Sequence, residues 1–188
     1  MRALLIAAAM LALVACKEEA AQDVAPMALT SDAVGHYCQM NLMEHEGPKA
    51  QAHLDGLPGA PLFFSQVRDV IAYLRMPEQS HAVLAVWVND MGASGATWDA
   101  PGVANWIDAR SAWFVVGGRA VGGMGAPEIV PFSDKNDALE FAAAHDGDVM
   151  QLDDIPDEAV LTPVALDGDA DDAEFQDRLR NLSRNVGE

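Results

Sequence analysis

The chain has 188 residues, with 11 Lys and Arg against 29 Asp and Glu and a formal net charge of −18. That balance, with a pI near 4.3, excludes nucleic acid and anionic lipid headgroups as charge-driven partners and leaves cations and basic proteins. The length suits one medium domain or two small ones.

A single positive charge, Arg2, precedes an apolar run over residues 3–15. The run is too short to span a bilayer as a helix and reads as an export signal, residues 1–15. It ends in Leu13-Val14-Ala15-Cys16, a lipobox: small residues suit a narrow signal peptidase site and the Cys16 thiol is the acceptor for diacylglycerol. The expectation is a lipoprotein held to the membrane by acyl chains on Cys16. Lys17, rather than an aspartate, follows the cysteine, so attachment to the outer membrane, facing the periplasm, is the default.

Residues 16–33 are polar and alanine-rich, with Pro26, and are expected to form a flexible tether. From Val34 an α+β body is expected, built of two similar ββαβ units over 34–100 and 101–160. The evidence is a repeat: Phe64-Ser65 is followed by Asp69 and Tyr73, and Phe132-Ser133 by Asp137 and Phe141. In each copy the Ser is the expected N-cap of a helix, and apolar residues follow at helical spacing: Val67, Ile71 and Leu74, then Ala138, Phe141 and Ala142. Strands are expected at Ala50-Gln51-Ala52-His53-Leu54, Ala60-Pro61-Leu62-Phe63-Phe64, Ala82 to Val88, Ala112 to Val116, Ile129 to Phe132 and Asp148 to Leu152. Residues 161–188 read as an acidic linker (Asp167, Asp169, Asp171, Asp172, Glu174) and a C-terminal amphipathic helix carrying Phe175, Leu179, Leu182 and Val186 on one stripe. The carboxylates do not have EF-hand spacing and read as solvated.

There are two cysteines. With Cys16 lipidated, Cys38 is an unpaired thiol in an oxidising compartment, which is a liability unless it is buried, catalytic or metal-bound. His36-x-Cys38-x-Met40 brings imidazole, thiol and thioether to one face if the backbone is extended. Thiolate with thioether is a soft ligand set that selects Cu(I), and a zinc site would call for more Cys or His at short spacing. A distant ligand is expected to complete the site, and Met124 is the best candidate because it stands among Gly122, Gly123 and Gly125, where backbone can approach closely. Met43, His45 and Met91 are lesser candidates, and His53, His81 and His145 read as structural or surface residues. A cysteine-dependent enzyme with His36 or His45 as base is a rival that lacks any sign of a third group. A non-metal scaffold docking a basic periplasmic partner is another.

Four segments together carry a resemblance: His36-Tyr37-Cys38-Gln39-Met40, His45-Glu46-Gly47-Pro48-Lys49-Ala50-Gln51, Phe64-Ser65-Gln66-Val67-Arg68-Asp69 and Gly122-Gly123-Met124-Gly125-Ala126-Pro127-Glu128. From about Gly35 to Ile155 the chain resembles the NosL family, lipoprotein accessory factors of nitrous oxide reductase in denitrification. The resemblance implies a periplasmic Cu(I) metallochaperone, not an enzyme, that helps assemble the copper–sulfide centre of the reductase. Its partners would be nitrous oxide reductase or its maturation transporter. It implies two ββαβ units, and Cys38 and Met124 as metal ligands with Met40 or a histidine (His36 or His45) as the third.

Overall fold

The computed structural model describes residues 21–163 apart from 78 and 80. The signal peptide, Cys16, the acidic linker after residue 163 and the C-terminal amphipathic stripe lie outside the described residues. No helix among those described is long and apolar enough to cross a membrane.

The first unit runs β1 (Ala50–Leu54), β2 (Leu62–Phe64), α1 (Val67–Arg75), β3 (Val83–Asn89), and the second β5 (Trp113–Val116), β6 (Val130–Phe132), α2 (Lys135–His145), β7 (Asp148–Met150). Both are antiparallel with the first strand central, in the order β2-β1-β3 and β6-β5-β7. The ββαβ repeat read from sequence is therefore the architecture. Its aromatic positions do the same work in each copy. Phe64 meets Tyr73 at 5.6 Å and Phe132 meets Phe141 at 5.3 Å between centroids, with interplanar angles of 50° and 48°. In both units the strand before the helix is thereby pinned to the helix's second turn.

Three expectations change. First, β4 (Trp106–Asp108), which a boundary at 101 assigns to the second unit, pairs antiparallel with β3 and extends the first sheet to four strands. Second, neither serine is an N-cap. Gln66 holds that position on α1 without a side-chain bond, and Asp134 holds it on α2, accepting from Asn136 N–H. Ser133 is instead bound to Asp90, its N–H and hydroxyl donating at 3.0 and 2.5 Å, which ties the end of β3 to the second unit. Third, residues 22–33, read as tether, lie on the outer face of the first sheet. Gln51 treats Met27 as a strand partner, its Oε1 accepting from Met27 N–H and its Nε2 donating to Met27 O, both at 2.9 Å. Trp87 Nε1 donates to Val24 O, Leu29 N–H to Val103 O, and Leu29 and Ala33 are buried with Leu42. The polar Gln51 and His53 face outward from β1 and are buried, so that face needs a cover that supplies hydrogen bonds.

Period-two alternation sets the cores. Ala50, Ala52, Val86 and Val88 face α1, whose Val67, Val70 and Ile71 join a cluster that also holds Phe114, Val116, Ile129, Ile155 and Val160. The opposite face of β5 gives Val115, which packs with Val130, Phe132, Ala138 and Ala142 under α2. Beyond β7, the short helix α3 (Asp157–Leu161) is held against α1 by Arg68, which donates to Ala159 O and Thr162 O at 3.2 and 2.6 Å. The sheets thus share one interior, and the loops that enter α1 and β6 meet at one end of it.

Candidate metal centre

The Cys38 segment is a tight turn, not the extended strand its alternating pattern suggested. An antiparallel bridge between Val34 and Asn41 closes it; Gly35 N–H donates to Met40 O at 3.0 Å and Gln39 N–H to Gly35 O at 2.9 Å. Gln39 takes the left-handed region (φ 55°), and its side-chain amide holds it there by donating to the carbonyls of His36 and Gly35. His36, Cys38 and Met40 accordingly do not share a face by strand alternation. The His36 ring lies among Tyr37, Phe64 and Tyr73 at 5.2–5.7 Å, a packing role. Met40 is exposed on the turn.

His36 N–H donates to Phe63 O at 2.6 Å, which docks the turn on β2. Cys38 is free and half-buried, and its sulfur lies directly over Gly35. A Cβ on that glycine would stand 2.5 Å from Sγ. Even alanine there would displace the thiol.

Met124 stands at the tip of a second tight loop, bridged between Val121 and Pro127, with Gly122 N–H donating to Ala126 O and Gly125 N–H to Gly122 O. The glycines allow close approach of backbone, as expected. A Cβ on Gly123 would meet His45 Cβ at 2.7 Å and Glu46 O at 2.9 Å, and one on Gly122 would overlap the ends of Gln66 and Glu128. Met124 is 37% exposed. His45, next in the chain after a 3-10 turn (Leu42–Glu44) capped by Asn41, lies against this loop with Nδ1 3.3 Å from Gly123 O. Its Nε2 is buried without a partner. His45 also lines a cavity of about 120 Å³ with Leu42, Met43 and Lys49.

The lesser candidates separate. Met91 packs against the second core with Trp98 and Phe141 nearby, and His145 stacks on Phe141 at 4.1 Å. His53 is buried in the first sheet against Gln51, and His81 is exposed.

Charged residues at this end are buried, which residue pattern alone did not reveal. Lys49 is 2% exposed, its Nζ donating to Glu46 O at 2.9 Å and Gly47 O at 2.6 Å. Burial pulls its pKa down to about 8, against the opposing fields of Glu128, Cys38 and Glu46. Burial pushes Glu128 up to about 8. Both stand inside the segments that carry the family resemblance, and so does Gln66.

Among the described residues no group of three or more His, Cys, Asp or Glu could hold a metal ion. The donors gathered at this end are one thiol, exposed thioethers and one imidazole nitrogen without a partner. Such a set has little to offer Ca²⁺, Mg²⁺ or a structural Zn²⁺ and suits a soft monovalent ion.

The family model NosL matches residues 26–160. A "Copper-binding lipoprotein NosL" of Achromobacter cycloclastes is 55% identical over 189 residues, 100% of this chain and 97% of that one. The protein of the same name from Stutzerimonas stutzeri is 33% identical over 79% of this chain and 75% of its own length. Among solved structures, the copper chaperone NosL from Shewanella denitrificans matches with a TM-score of 0.63 and 35% identity, over 69% of this chain and 94% of that one. These relatives are named for binding and carrying a metal, not for a catalysed reaction. On this evidence the chain belongs to the NosL family.

Proposed function

We propose that this protein is a lipid-anchored periplasmic Cu(I) carrier that delivers copper to nitrous oxide reductase, or to the transporter that matures it, for assembly of the copper–sulfide centre. Cu(I) is cargo. The observation that carries the reading is the half-buried Cys38 thiol held over Gly35, in a turn that docks on residues 63–65, while a second loop with Met124 exposed at its tip docks on Gln66 and Arg68. Copper in the printed names of the relatives supports the metal, and the sulfur donors support its monovalent state.

Cys38 and Met124 would supply two ligands. His45 is favoured over Met40 for the third, because its ring touches the Met124 loop and its Nε2 has no partner. Two- or three-coordinate Cu(I) at an accessible thiolate takes an incoming ligand before losing its own, so transfer needs no free ion. Cys16 would carry the lipid. From there to Gln22, whose side chain is bonded at the Leu54 end of β1, the chain spans at most about 20 Å.

The test is anaerobic competition with a chromogenic Cu(I) chelator. Cys38→Ser should lower the affinity by about a hundredfold or more, by loss of the one thiolate ligand. Unchanged affinity in Cys38→Ser would sink the proposal. Metal binding should also release the thiol proton, so the parent's apparent affinity should rise with pH more steeply than that of Cys38→Ser, which retains only the imidazole ligand's proton release.

A further inference from the structure

The first turn of α1 has no cap of its own, and its acceptor comes from the other unit. Glu128 stands just past the Met124 loop, 2% exposed, with Oε1 accepting from Arg68 N–H at 3.2 Å and from Ile129 N–H at 2.9 Å. Gln66 reaches in the opposite direction, its Nε2 donating to Ala126 O at 3.4 Å. Gly122 lies over both side chains, with Glu128 Oε2 2.6 Å from where a Cβ would be. Gly122, Ala126 and Glu128 thus bracket Met124 and bring both ends of its loop to the start of α1. The Cys38 turn rests on the same place: a Cβ on Gly35 would lie 3.8 Å from Ser65 N, and His36 is bonded to Phe63 O.

A helix cap can be had at lower cost. Asp134 caps α2 from the adjoining position, accepting from Asn136 N–H at 2.7 Å while exposed to solvent. Capping α1 by Glu128 instead leaves a carboxyl fully enclosed with Oε2 unpartnered, an arrangement that costs stability. What the arrangement gains is a mechanical connection between the two loops.

We propose that Glu128 is a positioning residue for metal binding: by capping α1 across the two units it holds the Met124 loop where its thioether and the Cys38 thiolate meet one soft monovalent ion. This rests on Cys38 and Met124 being ligands. Glu128 itself does not touch the metal. It sets how far the two sulfur-bearing loops stand apart.

The experiment uses the full mature chain, lipidated and in detergent, loaded anaerobically with Cu(I). Affinity is read by chelator competition and the number of sulfur ligands by copper-edge X-ray absorption. Glu128→Ala should weaken binding about tenfold or more, as loss of a supporting residue does at other metal sites, with one sulfur ligand fewer. The double variant Glu128→Ala/Met124→Ala should bind no more weakly than Met124→Ala, because the first change acts only through the second residue. Glu128→Gln keeps an oxygen acceptor for Arg68 N–H and should restore both sulfur ligands. Additive losses, or two sulfurs retained in Glu128→Ala, would overturn the positioning role while leaving the ligands in place. Parent-like binding by Met124→Ala would overturn the ligand assignment itself, and the proposal with it. If Glu128→Ala does not fold, Glu128→Asp, one methylene shorter, replaces it with the same expectations.

Discussion

The two helices start from the same motif and end in different surroundings. In α1, Val67, Arg68, Val70, Ile71 and Ala72 are buried, in a cluster fed by both sheets and by α3. In α2 only Ala138 and Ala142 are buried, Phe141 and His145 are half-buried, and the rest of the helix is exposed. One is capped by its own neighbour and the other from the opposite unit. The Phe–aromatic contact is common to both, so the motif specifies the joint between strand and helix. What surrounds that joint is decided elsewhere. The half whose helix is enclosed is also the half on which both candidate metal loops rest.

Substitution in the helix interiors should separate them most. Ile71→Ala should cost about 2–5 kcal/mol, since the enclosed side chain leaves a cavity bounded by elements of both units. Leu139→Ala, at a half-exposed position of α2, should stay within about 0.5 kcal/mol. Urea unfolding of the two variants measures the difference, and equal losses would mean that the helices are equivalent after all.

The caps should differ in their response to pH. Glu128 is raised in the folded state from 4.5 to about 8, so between those values the native state binds more protons than the unfolded one. Its contribution is complete below about pH 4.5 and is lost as pH rises through 8. Lys49 is lowered from 10.5 to about 8, so its burial opposes folding at neutral pH and that opposition is relieved between 8 and 10.5. Together the pair predicts a dip in stability near pH 8. Urea midpoints across pH 5–10 should show the dip in the parent and a flattened acid limb in Glu128→Gln; an unaltered acid limb would remove Glu128 as its cause. Asp134→Ala should cost about 1 kcal/mol for a lost local cap, read by urea unfolding at neutral pH.

Much of the fold was legible because it depends on local period. The strand runs, the apolar spacing of Val67, Ile71 and Ala138, and the doubled Phe-Ser-x3-Asp-x3-aromatic pattern place the elements and their order. The capping serines were misassigned for a physical reason: a serine before a helix is one acceptor among several, and here the Glu128 and Asp134 carboxylates take the helix N–H groups while Ser133 binds Asp90. At the site, residue chemistry singles out Cys38 and the glycines around Met124. The turn at Gly35, the packing of His36 among aromatic rings and the unpartnered His45 Nε2 depend on neighbours far along the chain, so no window of sequence contains them.

By itself the sequence determined the strands and helices of the repeated unit, that the unit occurs twice, and that a lone soft donor stands at residue 38. Periodicity and side-chain chemistry are properties of short segments and survive in any context. The tertiary structure alone decided that β4 belongs with the first sheet, that residues 22–33 cover it, and that the Cys38 turn and the Met124 loop each dock on the residues that open α1. Those outcomes follow from burial. Gln51 loses water under residues 22–33 and Glu128 where the two units meet, and each must find its hydrogen bonds on whatever backbone the fold brings within reach.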